Sequence, residues 1–198
     1  MDFWIATGNK GKVSEIKVLL ERDIPDAKIF STKDLPVYTA PPENGQTFLD
    51  NARIKAKSMK AMKPNVWVIA DDSGLEVESL GNLPGVHSAR YAGPHARDSE
   101  NTAKLLKMMQ IRAVANRNAK FVCTMVVLSP DNQEWVFTGE LKGTIAKNPT
   151  GLMGFGYDPV FVPEGQTQSL ADIGPGFKNK FSHRALATMQ LIEKLKAL

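Results

Sequence analysis

Two stretches of the chain place charged or glycine residues where a fold could use them on phosphate and metal. Thr7-Gly8-Asn9-Lys10-Gly11-Lys12 lies between the apolar run Phe3-Trp4-Ile5-Ala6 and the helix-spaced Val13, Ile16, Leu19 and Leu20. Backbone N–H groups at a helix start attract anions, and glycines let a phosphate come close. Lys12 adds a point charge. A Walker A loop needs four residues between its glycines and a Ser or Thr after its lysine. Here Asn9 and Lys10 separate the glycines and Val13 follows Lys12, so the same residues also describe a capped helix after a tight turn. The second stretch is Asp71-Asp72-Ser73-Gly74, after the apolar run Val66-Trp67-Val68-Ile69-Ala70. Two carboxylates at a buried strand end need compensation, usually from a divalent cation. Neighbouring side chains of an extended chain face opposite ways, so one can hold metal or water while the other holds the loop. The spacing leaves open which does which, and an Asp turn closed by Gly74 is the plain alternative.

Other positions carry weaker signals. Glu43, in a loop, and Lys55, on the helix after it, read singly as surface charges. In Gly154-Phe155-Gly156-Tyr157-Asp158, glycines could bare an aromatic face for base stacking. A core aromatic between turns reads the same way. Ser182-His183-Arg184 opens a helix, where cations oppose the helix dipole. Something negative or hydrogen-bond accepting is expected beside them. Adjacent Ser and His do not make a catalytic triad, which is a spatial arrangement. Cys123 is the single cysteine and lies in an apolar run. It reads as a small buried hydrophobe and permits no intrachain disulfide.

The elements that must hold these residues follow from periodicity. Phe3–Ala6 reads as a buried strand, with a helix after the glycine turn, and residues 28–30 as a second strand. Residues 33–47 are rich in turn formers and predict a long loop. Thr47 can cap a helix that carries Phe48, Ala52, Ala56 and Met59 on one face and stops at Pro64. Residues 66–70 and 75–78 predict strands, 98–109 a helix, and 119–129 with 134–146 a hairpin turning at Pro130-Asp131-Asn132. Residues 163–180 predict a polar loop before a last helix carrying Ala185, Met189, Ile192 and Leu195. The mixture predicts an α/β fold, with a mixed central sheet flanked by helices.

Composition narrows the function classes. The chain of 198 residues, 42% hydrophobic and 23% charged, suits one globular domain over residues 1–198. No segment is long and apolar enough to span a bilayer. Met1-Asp2-Phe3-Trp4 has no basic signal-peptide region, and a cytoplasmic location without membrane association is expected. A net charge of +4 suits a polyanionic partner. The lysines are dispersed and aromatics are only 8%, so a small anionic ligand ranks above a nucleic acid.

Taken in order, the motifs resemble the inosine triphosphate pyrophosphatase family, also described as dITP/XTP pyrophosphatases. They run Ala6-Thr7-Gly8-Asn9 with Lys12, Glu43-Asn44-Gly45 with Thr47-Phe48, and Asn51-Ala52 with Lys55-Ala56. Ala70-Asp71-Asp72-Ser73-Gly74, Leu83-Pro84-Gly85 and Ser88-Ala89-Arg90-Tyr91 come next, then Gly154-Phe155-Gly156-Tyr157-Asp158-Pro159 and Ser182-His183-Arg184. Each is weak alone, and the ordered set covers nearly the whole chain. The resemblance implies a two-lobed domain with the active-site cleft between the lobes, and a homodimer. It implies hydrolysis of non-standard purine nucleoside triphosphates (ITP, dITP, XTP) to monophosphate and pyrophosphate with Mg2+, which clears them from the nucleotide pool. Thr7, Gly8, Asn9, Lys10, Gly11 and Lys12 would then hold phosphates with Lys55. Glu43 and Asp72 would bind metal, Asp72 would also be the base that activates water, and Ser73 would touch the substrate. Phe155, Gly156, Tyr157 and Asp158 would form the base and sugar pocket, completed by Lys178, His183 and Arg184. Where the family often has acidic residues before the lysine matched to Lys178, this chain has Gly176-Phe177, and Lys180 lies close by. Leu152 and Met153 make the glycine loop bulkier than the family pattern.

This chemistry suits the residue types. A triphosphate needs charge neutralisation more than covalent help, and a metal-bound carboxylate can orient and deprotonate water. Three rivals are weighed against it. A nucleotide- or RNA-binding module would not need Asp71, Asp72 and Glu43, which repel a polyanion unless metal is present. A pyrophosphatase for modified pyrimidine nucleotides would differ in base preference. A haloacid-dehalogenase-type phosphatase would carry Asp-x-Asp after the strand, which is missing here.

Overall fold

The computed structural model describes residues 1–198. In chain order its elements are β1 (Asp2–Ile5), α1 (Lys10–Asp23), β2 (Lys28–Ser31), α2 (Phe48–Met62), β3 (Trp67–Val77), β4 (Leu83–Pro84) and α3 (Asp98–Ile111). They continue with β5 (Asn118–Leu128), β6 (Glu134–Ile145), β7 (Phe161–Pro163), α4 (Leu170–Ile173), α5 (Pro175–Phe181) and α6 (His183–Lys196). The sheet order is β2-β1-β3-β5-β6-β7, with β4 paired to β3. β1 is parallel to β2 and β3, whereas β4 is antiparallel to β3 and β7 to β6. This is the mixed sheet with flanking helices that the sequence predicts. The turn at Pro130-Asp131-Asn132 joins β5 to β6, closed by Ser129 N donating to Gln133 O at 3.0 Å.

The chain divides into two compact units. The first comprises Met1–Asp72, Cys123–Gly139 and Arg184–Leu198; the second comprises Ser73–Val122 and Glu140–His183. In the first unit, alternation along β1 and the residue after it sends Phe3 and Ile5 to one face of the sheet and Trp4 and Ala6 to the other. Phe3 and Ile5 pack with Ile16, Leu19 and Leu20 of α1 and with Leu191, Ile192 and Leu195 of α6. Trp4 and Ala6 pack with Ala52, Ala56 and Met59 of α2. Helices on both faces explain why the parallel strands read as continuous apolar runs. Each fully buried Leu, Ile or Met side chain contributes roughly 1.5–3 kcal/mol. Apolar packing rather than the polar site therefore carries the stability of this unit. In the second unit Leu75, Val77, Phe121 and Phe161 pack against Leu105 and Met109 of α3.

Three local features differ from the sequence reading. β3 is unbroken from Trp67 to Val77, so Asp71 and Asp72 lie within a strand rather than before a turn. The cations around them, described below, remove the need for the chain to leave the sheet there. The segment expected as a polar loop contains α4 and α5. Ser169 caps α4 by accepting from Asp172 N, and Pro175 opens α5, where its missing N–H costs nothing. Finally, α1 starts at Lys10, with the Asn9 side chain accepting from Lys12 N at 3.1 Å, so the glycine turn runs into the helix itself. No helix is long and apolar enough to cross a membrane.

Candidate active site

In the first unit the adjacent aspartates of β3 have opposite surroundings. Asp71 is fully buried. Its Oδ2 meets Lys12 Nζ at 3.0 Å and Arg184 Nη2 and Nε at 3.1 and 3.2 Å. Arg184, itself buried, also donates from Nη1 to Glu15 Oε2 at 2.5 Å. Burial pushes the Asp71 carboxyl up, but Lys12, Arg184 and Lys55 outweigh it and hold the group far below the usual carboxylate range. Burial pulls the Arg184 guanidinium down, and Asp71 and Glu15 more than reverse this. Asp71 is thus a permanently ionised anchor and cannot accept a proton near neutral pH. Cys123 Sγ lies 4.0 Å from Asp71 Oδ2. Burial first, and then Asp71, push its thiol up to about 12, which excludes it as a nucleophile.

Asp72 belongs to a different cluster. Its Oδ1 accepts from Lys55 Nζ at 3.1 Å and its Oδ2 from Asn51 Nδ2 at 3.1 Å. Lys55 Nζ is also 3.2 Å from Glu43 Oε1. Burial raises the Asp72 carboxyl; Lys55 and Lys12 oppose this, Glu43 adds to it, and the net direction is up. Lys55 itself is pulled down by burial and pushed further up by Asp72, Asp71 and Glu43. Asp71 stays charged, and Asp72 is the better proton acceptor. Helix α2 delivers both partners of Asp72. Thr47 and Asp50 start it with a capping box, and Asn51 and Lys55 lie one turn apart on its buried face. The donors Glu43 and Asp72 are hard carboxylate oxygens. No group of three His, Cys, Asp or Glu side chains could enclose an ion. Hard oxygen ligands of this kind suit a hard divalent cation rather than a soft one. The expected phosphate loop starts α1. Thr7 Oγ1 accepts from Asn9 N at 3.2 Å and Thr7 O accepts from Thr32 Oγ1 at 3.1 Å. Gly8, Asn9 and Lys10 are exposed at the helix start, and Gly11 and Lys12 are half-buried.

The second unit gathers the aromatic loop. Asp158 Oδ2 accepts from Phe155 N at 3.0 Å and from Lys178 Nζ at 2.6 Å. The Lys178 ammonium lies 4.5 Å from the centre of the Phe155 ring. Gly154 has φ +82°, and a Cβ there would collide with Asp158 Oδ2, so the loop requires glycine. Gly156 N donates to Asp98 Oδ2 at 2.7 Å. Phe155 and Gly156 line an apolar cavity of about 530 Å³ with Thr102, Leu106, Pro149 and Pro159. Tyr157 donates its hydroxyl inward to Ser88 O at 2.8 Å, and burial raises its pKa. His183 stacks on Phe121 at 4.8 Å with an 11° interplanar angle. Ser73 is half-buried, and Lys180 is exposed where Lys178 is buried.

The sequence-expected residues therefore assemble as Lys12 with Arg184, as Glu43 with Lys55 and Asp72, and as Phe155 with Asp158 and Lys178. Arg184, expected beside base and sugar, has its guanidinium against Asp71 and Glu15. Sequence reasoning assigned no role to Asn51, Glu15 or Asp98. Asn51 left a readable signal, an amide four residues before Lys55 on the apolar face of a helix. Glu15 and Asp98 are ordinary helix charges in sequence and left none.

A model of the Ham1 family matches residues 3–194. A protein of Bdellovibrio bacteriovorus named dITP/XTP pyrophosphatase is 61% identical over 198 residues, covering 100% of this chain and 99% of its own. One of the same name from Bacillus licheniformis is 43% identical over 194 residues, covering 98% and 95%. Among solved structures, a HAM1 protein from Coxiella burnetii has a TM-score of 0.89 and 34% identity, covering 100% of both chains. A nucleoside-triphosphatase / dITP/XTP pyrophosphatase from Mycobacterium abscessus has a TM-score of 0.72 and 37% identity, covering 100% of this chain and 97% of its own. This chain belongs to the Ham1 family.

Proposed function

We propose that this protein hydrolyses non-standard purine nucleoside triphosphates (ITP, dITP and XTP) to the monophosphate and pyrophosphate. The observation that carries the reading is the split between Asp71 and Asp72. One carboxylate is locked by the cations Lys12 and Arg184, and its neighbour faces Lys55, whose ammonium it shares with Glu43. That pairing supplies a fixed anchor and a base side by side.

The start of α1 offers N–H groups and Lys12 to phosphate oxygens, with Lys55 adding charge. Glu43 and Asp72 would hold Mg2+, which when bound neutralises phosphate charge and lowers the pKa of water. Asp72 accepts the proton of the attacking water. Asp71 keeps Lys12 in place and takes no proton. Ser73, next on the strand, contacts the substrate. Phe155 stacks on the base, indifferent to its substituents. Asp158 and the inward-bonded Tyr157 shape the loop around base and sugar, and His183 closes the pocket.

Choice of base rests on donors. The N–H groups of Phe155 and Gly156 are already given to Asp158 and Asp98, and Arg184 is bound to Asp71 and Glu15. Lys178 also donates one N–H to Asp158 Oδ2 at 2.6 Å, and its other N–H donors, beside Phe155, are the ones that would favour an oxygen at purine position six over an amino group. We place the protein in the cytoplasm, with the nucleotide pool, and read it as a homodimer. The test is a panel of ITP, XTP, dITP, GTP, ATP and a modified pyrimidine triphosphate, each with Mg2+ and with chelator. Metal-dependent turnover confined to ITP, XTP and dITP supports the reading. Binding without turnover would make this a nucleotide-binding module instead.

A further inference from the structure

We infer that Asn51 is a positioning residue that pins the Glu43 loop to Asp72 and so fixes the spacing of the two carboxylates proposed to hold Mg2+. The inference rests on that metal reading. Asn51 is fully buried on the apolar face of α2, among Phe48, Ala52, Ala56 and Met59. A buried amide there is costly unless both its ends are bonded. Both are. Its Oδ1 accepts from Gly45 N at 2.8 Å, and its Nδ2 donates to Asp72 Oδ2 at 3.1 Å. Gly45 is two residues after Glu43 in the chain. The side chain therefore spans the gap between the backbone of the acidic loop and the base.

The chemistry of an amide is what the span requires. It presents an acceptor to the Gly45 N–H and a donor to the Asp72 carboxylate. Aspartate would face Asp72 with a second acceptor, and leucine would bond neither. Tying up Oδ2 leaves Oδ1 of Asp72 as the oxygen that shares Lys55 Nζ with Glu43. The approach of the loop is equally constrained. A Cβ on Gly45 would stand 2.5 Å from Asp50 Cβ and 2.7 Å from Asn51 Oδ1. Glycine at position 45 and asparagine at position 51 are thus two halves of one contact. Partners that orient metal ligands from behind are typically worth 10–100-fold in metal affinity.

Asn51→Ala and Gly45→Ala cut the contact from opposite ends, so either decides if the other does not fold. Folding is checked by circular dichroism. Each protein, in excess over the α,β-methylene analogue of ITP, is titrated with Mn²⁺. Water proton relaxation reads the ion held on the protein, and analogue affinity is measured separately without metal. The expected result is Mn²⁺ binding weakened by about 10–100-fold in both variants, with analogue affinity unchanged. A merely structural defect would instead weaken the analogue and leave Mn²⁺ affinity alone, which overturns the assignment. So does wild-type Mn²⁺ affinity in a folded variant. Glu43→Gln separates the two layers. If it loses Mn²⁺ while the Asn51 and Gly45 variants keep it, the metal site stands and the pin is wrong. If Glu43→Gln binds Mn²⁺ like wild type, the metal reading itself fails and Asn51's role falls with it.

Discussion

Replacing Arg184 by Met separates a buried anchor from a base-selecting donor. Arg184 Nη2 lies 3.1 Å from the fully buried Asp71 Oδ2. At an effective dielectric of about 20, charges about 3 Å apart attract by about 5 kcal/mol. Lys12 keeps its own 3.0 Å contact with Asp71, so the loss is partial. Glu15 loses its 2.5 Å partner as well, leaving two carboxylates short of one cation. Breaking a buried pair from one side costs about 3–5 kcal/mol. For a chain of this size that lowers Tm by roughly 6–20 °C. The pH dependence has a definite sign. The folded Asp71 carboxyl is held below its unfolded value of about 3.9, so its stabilisation is complete above about pH 4 and is lost as pH falls further. The variant should therefore lose less stability than wild type on acidification below pH 4. Calorimetry from pH 7 to pH 3 measures both effects, and kcat/KM for ITP and ATP completes the assay. The expected outcome is a large drop in Tm with both substrates weakened alike. A variant of near wild-type Tm with a narrowed ITP-to-ATP ratio would show that Arg184 acts on the base instead.

Asp72→Asn should lower kcat by at least about a hundredfold. The fold should survive, since the change is isosteric; normal turnover in a folded variant would remove Asp72 from the mechanism. Phe155→Ala should weaken all purine triphosphates alike, whereas Lys178→Met should narrow the ITP-to-ATP ratio. An unsatisfied buried group there is worth roughly 1–3 kcal/mol, about 5- to 150-fold, and equal kcat/KM losses for both substrates would deny Lys178 that role. Sedimentation at micromolar concentration should give a dimer, and monomer alone would refute it.

The fold was legible where one periodicity acted over many residues. The apolar run Phe3–Ala6 and the stripe Phe48, Ala52, Ala56, Met59 marked a strand and a helix that the structure contains. The α4–α5 segment was hidden because its helices are short and set by Ser169 and Pro175 rather than by an apolar stripe. In the site, residue types identified carboxylates, lysines and a glycine-bound aromatic. They could not separate Asp71 from Asp72, since that distinction is made by Lys12, Arg184 and Lys55 from three different helices. The partners of Arg184 were hidden for the same reason. A helix-start arginine does not reveal in sequence that Asp71 and Glu15, far away in the chain, fold against it.

The central claim is cleavage between the α and β phosphorus atoms by an Mg2+-supported Asp72 base. The most direct measurement is chromatographic identification of the first products of dITP in the presence of Mg2+. Monophosphate and pyrophosphate in equal amounts, absent with chelator and with Asp72→Asn, is the predicted result. Diphosphate and orthophosphate as the primary products would contradict it.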